Sequence, residues 1–307
     1  MPRLLSRIGQ ALIVLLCTYA LAFVLLTALP GDGVEARYAN PQLGLSQEQI
    51  AEIRTSYGYD KPAVIQFFLT FGKFLTGDLG YSVQSGTKVT ELLSEAVPNT
   101  LTLATFSFAL ALLLALLIAV LAASSAKTLR WTRGLPPAMT SMPSFLIGIL
   151  LIQFISFQLG LIPVFGASDL QRLILPVLTL SVPIAAPLAQ VLIRSMDEVY
   201  QQPFITVVRA RGASENWLLF RNVLRGAMLP TLTIAGLLFG ELVGGSIVTE
   251  AVFGRSGIGT LTVEAIANRD TPVLLALVVI AASVYILINL LVDLAYPILD
   301  PRLRRKA

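Results

Sequence analysis

An all-α polytopic membrane protein with six transmembrane helices is the fold class that this sequence predicts, and three observations carry that reading. Hydrophobic residues fill 55% of the 307 positions and charged residues only 13%, too apolar a balance for an ordinary soluble domain. Several runs reach the roughly 20 apolar residues that cross about 30 Å of hydrocarbon. The basic residues collect at the ends of those runs, as in membrane loops, so the net charge of +4 does not point to nucleic acid as a partner. The chain has no histidine and one cysteine, Cys17, inside the first apolar run. Zinc chemistry, a histidine-based triad and a disulfide framework are therefore excluded, and Cys17 reads as a small apolar helix residue.

The first span is expected over Gly9–Leu29, behind Arg3 and Arg7. A cleaved signal peptide is the competing reading, but the apolar run is too long and "TALPGDG" offers no clean small-x-small cleavage site. Residues 1–30 thus form an arm and an uncleaved helix. Residues 31–98 form a large loop, in which Ser46 followed by Gln49 makes a capping box and Gly58 a stop. That pattern predicts a short amphipathic helix, and "VIQFFLTFGKFLTG" adds an apolar, aromatic face that needs a surface to lie on.

The remaining spans are expected at about 99–123, 143–162, 173–193, 229–248 and 273–298, within a core of residues 99–298 that ends in a basic tail, 299–307. The fourth span carries Pro176, Pro183 and Pro187, each of which removes a backbone donor and bends the helix. Orientation follows from the basic residues: Arg3 and Arg7, the loop with Lys127, Arg130 and Arg133, the stretch 203–228, and the tail with Arg302, Arg304, Arg305 and Lys306 all fall on one side of six crossings. Lysine and arginine favour the cytoplasmic side, which predicts cytoplasmic termini and leaves the acid-rich loop 31–98 outside.

The stretch 203–228 is polar and arginine-bearing between two spans. Pro203 suits a first helical turn and Gly212 a left-handed helix stop, while Phe204, Val207 and Val208 share a helical face. Ser214 then caps a second helix, along which Trp217, Phe220, Leu224 and Met228 recur, and Pro230 is expected to open the following span. Periodicity alone leaves two readings open: an elbow that receives force from a partner, or a helix lying in lipid headgroups.

"FITVVRARG" followed by "NVLRGAMLP" resembles the EAA loop of ABC-importer permeases, in the form found in the dipeptide, oligopeptide and nickel permease family. Gly212 matches the loop glycine, Arg209-Ala210-Arg211 the basic triplet, and Leu229-Pro230 the closing pair. Thr206-Val207-Val208 replaces the usual acidic-Ala-Ala opening. "LPGD", "YDKP", "GDLGYS", "SMPSF", "IVTEAVFGRSGIG", "NRD" and "NLLVDLAYPILDPRLR" resemble family landmarks in the right order, so the likeness runs along nearly the whole chain.

That resemblance implies a type I ABC importer permease fold and a subunit that conducts but does not hydrolyse. It implies a coupling helix that docks on an ATPase through Phe204, Thr206, Val207, Val208, Arg209, Ala210, Arg211, Gly212, Ala213 and Glu215. It implies as partners a second homologous permease, one or two ABC ATPases, an extracytoplasmic substrate-binding protein and membrane lipid, in a bacterial inner membrane. No cofactor is expected in this chain; ATP and Mg belong to the ATPases. In agreement, the chain has no G-x-x-x-x-G-K-[ST] phosphate loop. Di- or oligopeptides are the expected cargo, with nickel or a metal chelate as the alternative.

Glu241 is the sharpest acid inside a span, and a mid-membrane carboxylate costs several kcal/mol unless it is protonated, paired or faces water. It is a candidate for the pathway, with a structural bond to a partner permease as the other reading. Gly244, Gly245 and Ser246 join it and would permit close helix packing. Asp293 reads as a snorkelling or ion-paired residue. An ion-driven transporter would show an internal repeat and more intramembrane charge, and an intramembrane enzyme a nucleophile-base set; neither is evident.

Overall fold

The computed structural model describes residues 2–28, 31–124, 126–164 and 166–299. These residues are helical throughout their regular structure, apart from one isolated antiparallel bridge, Tyr81–Lys88. The helices are α1 (Pro2–Ala28), α2 (Gly33–Tyr38), α3 (Gln47–Tyr57), α4 (Ala63–Leu75), α5 (Val89–Ser124), α6 (Ala126–Thr140) and α7 (Ser144–Leu151). They continue with α8 (Asp169–Tyr200), α9 (Pro203–Ala210), α10 (Glu215–Leu218), α11 (Leu224–Gly245), α12 (Ile247–Val252), α13 (Ile258–Ala267) and α14 (Thr271–Leu299). The expected tail beyond Leu299, residues Leu29 and Pro30, and the side chains of Lys127, Arg130 and Asp293 lie outside the described part.

Five helical stretches are long and apolar enough to cross a membrane: Gly9–Ala28, Val89–Ala123, Asp169–Tyr200, Glu215–Leu242 and Thr271–Val292. The sixth is the third in chain order and is not the straight helix expected at 143–162. Trp131–Thr140 and Ser144–Gln158 together meet the test but bend by 101° at the intervening break. Pro143 sits at that break in an extended conformation, and the helix ends in a π turn over Ile152–Gln158. The second span begins ten residues before the apolar run because Val89, Leu93 and Ala96 bury one face at helical spacing, carrying the helix beyond the hydrocarbon-length segment. Pro98 lies inside this helix and Pro176, Pro183 and Pro187 inside α8.

The chain folds as two compact units, one built on Met1–Thr100 with Arg255–Ile286 and the other on Leu101–Gly254 with Leu287–Ala307. In the first unit the capping box forms as the sequence indicates: Ser46 and Gln49 exchange hydrogen bonds of 3.2 and 2.8 Å, and Gly58 ends α3 at φ 76°. Tyr19 of α1 packs among Phe67, Phe71 and Phe74 of α4. The "NRD" landmark has a structural role here. Asp270 is buried, accepts a short hydrogen bond from the Ser82 hydroxyl, and accepts from the amides of Val83 and Gln84 at 3.2 Å each. It thereby pins the loop after α4 to the start of α14.

Asp270→Ala leaves those donors without their acceptor at about 1–3 kcal/mol per buried group, so a total loss of several kcal/mol is expected. Thermal unfolding of the purified protein, together with protease nicking between residues 78 and 88, measures it. An unchanged melting temperature would remove Asp270 from this role.

In the second unit α8 is the central helix, packed by α6, α7 and α11. Small residues let the helices approach: a Cβ on Gly236 of α11 would lie 2.4 Å from a methyl of Val292. A bidentate ion pair ties α6 to the end of α8, with Arg133 Nη2 donating to both Asp197 oxygens at 2.7 and 2.8 Å.

Candidate functional site

The stretch 203–228 folds as helix, glycine turn, helix. Gln202 is extended at the N-cap and Pro203 supplies the first turn, where its missing N–H goes unneeded. Gly212 adopts φ 83°; its amide donates to Arg209 O at 2.9 Å, and that of Ala213 donates to Val208 O at 3.4 Å. This is a Schellman closure, and it needs a residue tolerant of the left-handed region. Ser214 then caps α10 by accepting from the Trp217 amide.

Two contacts hold the elbow shut. Arg209 donates to both oxygens of Glu215, at 2.7 and 3.1 Å, across the turn, and its guanidinium lies 5.9 Å from the ring of Tyr200 at the end of α8. The pair is exposed, so its value is geometric more than energetic. The stronger anchor is apolar. Ile205 is buried in a cluster with Leu192, Met196 and Val199 of α8, and with Leu218, Leu219 and Val223 of the following turns.

The shared face expected of Phe204, Val207 and Val208 therefore splits. Val208 packs against the Ile205 cluster, whereas Phe204 and Val207 stand 40% and 53% exposed. With Arg211 they form an outward stripe at positions i, i+3 and i+7, and Thr206, Ala210 and Gly212 are also exposed. Ala213 is half-buried beside the turn. Along the second helix Trp217, Phe220 and Met228 are exposed, while Leu218, Leu219 and Val223 are buried. Pro230 opens nothing: the helix runs from Glu215 through a π turn at Leu219–Val223 into α11, and Pro230 lies inside it. Ile205 was absent from the expected set, although its i, i+3 spacing to Val208 carries the signal.

On α11, Glu241, Gly244 and Gly245 are exposed on one helix face. A Cβ added at either glycine would meet nothing within 4 Å, so these glycines do not serve packing among the described residues. Ser246 belongs elsewhere. It is buried and donates to Glu250 Oε1 at 3.1 Å, and Glu250 is itself 1% exposed. Glu250 is thus the enclosed carboxylate of this region and Glu241 the outward one. Among the described residues no group of three or more His, Cys, Asp or Glu side chains could hold a metal ion.

A family model described as "Binding-protein-dependent transport system inner membrane component" matches residues 111–305. A probable peptide ABC transporter permease protein, y4tP, of Sinorhizobium fredii is 36% identical over 311 residues, covering 98% of each chain. The glutathione transport system permease protein GsiC of Salmonella paratyphi A is 37% identical, covering all of this chain and 98% of that one. Among solved structures, an inward-facing MetNI methionine ABC transporter matches 69% of this chain and 97% of its own, with a TM-score of 0.58 at 20% identity, a likeness of fold. By the family match and by identity along nearly its full length, the chain belongs to the binding-protein-dependent transport system inner membrane components, the membrane-spanning permeases of ABC transporters.

Proposed function

We propose that this chain forms half of the translocation pathway of an ATP-driven importer of short peptides or peptide-like solutes such as glutathione, and that α9 is its coupling helix. The observation that carries the reading is the division of α9 into two faces. Ile205 locks it to α5, α8 and α11, while Phe204, Val207 and Arg211 project outward with an apolar-plus-cationic surface for a partner. A helix lying in headgroups has no need of a buried anchor, a bidentate clamp and a glycine elbow together.

ATP binding, with Mg, would draw separate ATPase subunits together and move α9 as a rigid body. The ends of α8 and α11, joined to it by the Ile205 cluster, would follow and switch the pathway between its two accesses. This places α9 and both termini on the cytoplasmic side of a bacterial inner membrane and residues 31–98 outside, towards a substrate-binding protein. The cargo class rests on the peptide and glutathione permeases that this chain resembles along its length.

Cys17 is the only native thiol, so a Cys17→Ser, Val207→Cys protein carries one thiol on the outward stripe. Crosslinking from position 207 to a co-expressed ATPase, with transport blocked by vanadate rather than by an uncoupler, is expected. Labelling of that thiol from the outer side, or no ATPase adduct in an intact assembly, would end the proposal.

Glu241, Gly244 and Gly245 supply the exposed face of α11 that would meet the second permease or the passing solute. Glu241→Gln is expected to raise KM for cationic peptides several-fold over that for neutral ones. Equal kinetics for both classes would take Glu241 out of the pathway.

A further inference from the structure

The first unit encloses a cavity of about 560 Å³, within the size range of small-ligand sites, bordered by α1, the end of α3, α4 and the start of α14. Its chemistry follows from α4. That helix is apolar nearly all round: Phe67, Phe71 and Phe74 pack on α1, and Val64, Phe68 and Leu75 are each about two-thirds exposed. Its polar residues Gln66, Thr70 and Lys73 recur at i, i+4 and i+7, and all three line the cavity. This polar ladder on an otherwise greasy helix gives one wall of the hollow a polar and cationic character.

Two cations border the hollow without a counter-ion. Lys61 and Lys73 stand at the two ends of α4, and neither ammonium has an ion-pair partner among the described residues. The Tyr59 hydroxyl is buried at the edge of the hollow, against Thr271. Desolvation holds that phenol well above its ordinary titration range, so it remains a donor at neutral pH. The one carboxylate in the lining, Asp78, already accepts from the Gly80 amide. Below these donors Tyr19, Phe23, Phe74 and Leu275 provide an aromatic and aliphatic floor.

We propose that this cavity binds one anionic phospholipid of the leaflet beside it. Its phosphate oxygens meet the Lys61 and Lys73 ammoniums, its glycerol region lies along Gln66 and Thr70, and one acyl chain runs over the floor. Lipid is the occupant because Val64, Phe68 and Leu75 give α4 an exposed apolar side beside the cavity-lining Leu69, in a protein whose family resides in the membrane. The site is independent of α9 and of any ATPase, so it stands or falls apart from the coupling reading.

Native mass spectrometry of the full chain in its assembly, extracted from vesicles of equal phosphatidylglycerol and phosphatidylcholine, tests this directly. One phosphatidylglycerol is expected to remain bound in preference to phosphatidylcholine. Lys61→Gln combined with Lys73→Gln should weaken it roughly 30-fold, about 1 kcal/mol for each lysine near a charged membrane surface. Both lysines are exposed, so the fold should tolerate their loss. Leu69→Trp, filling the apolar part from an exposed position, should weaken retention of both lipids. Equal retention of the two lipids unaffected by the lysine changes overturns the proposal. So does displacement by inorganic phosphate alone, which would mark a free-anion site, or by trialanine, which would mark a solute site.

Discussion

Replacing Ile205 with alanine is expected to lower ATP-coupled uptake about tenfold or more while the proposed partner ATPases continue to hydrolyse. Ile205 is 1% exposed and packs where α8, the π turn and α11 converge. Truncating a buried isoleucine to alanine costs roughly 2–5 kcal/mol, and only about 1.4 kcal/mol of lost docking geometry is a factor of ten. The Arg209–Glu215 pair is exposed and screened by water, so it does not compensate. Ile205→Val, which keeps most of the volume, costs only about 0.5–1.5 kcal/mol and retains most uptake. Parallel uptake and ATPase assays in proteoliposomes read the effect. Normal uptake by Ile205→Ala in an intact assembly would show that α9 does not transmit force through this cluster.

Gly212→Val produces a comparable loss by another route. A Cβ at Gly212 would touch nothing within 4 Å, so steric crowding is not the obstacle. The obstacle is the backbone: at φ 83° an L-residue is strained by about 1–2 kcal/mol, and a β-branched one more severely. Relieving that strain opens the Schellman closure and swings α9 away from α10. Asparagine tolerates the left-handed region, so Gly212→Asn should transport at close to the unaltered rate while Gly212→Val falls about tenfold. Equal uptake by the two variants would mean that the bend at 212 has no part in coupling.

The membrane class, the number of spans and the elbow at 203–228 are legible along the chain because each rests on local properties. Hydrophobic length identifies Gly9–Ala28 and Thr271–Val292 to within a few residues, and Ser46, Gln49 and Gly58 mark both ends of α3. Pro203, Gly212 and Ser214 likewise announce the elbow through their own backbone preferences. The bend of the third span is not legible because 143–162 reads as one apolar run, whereas Pro143 sets it at an angle to the preceding helix. The start of α11 is hidden for the opposite reason: Pro230 looks like a beginning, yet the helix already formed upstream absorbs it.

From residue order alone came the membrane habit of this chain, the absence of its own phosphate loop and the place of the glycine elbow. How much of that elbow's apolar face turns inward could not be read there, because Phe204, Ile205, Val207 and Val208 share one broad face of which only part is covered. The choice falls to Ile205 and Val208 only because Leu192, Met196 and Val223 close around them. The same holds for Asp270, whose three partners lie far back in the chain, and for the hollow beside α4, whose walls come from five separate segments. Contacts between distant segments leave no periodicity in either one, so they exist as information only once the chain has packed.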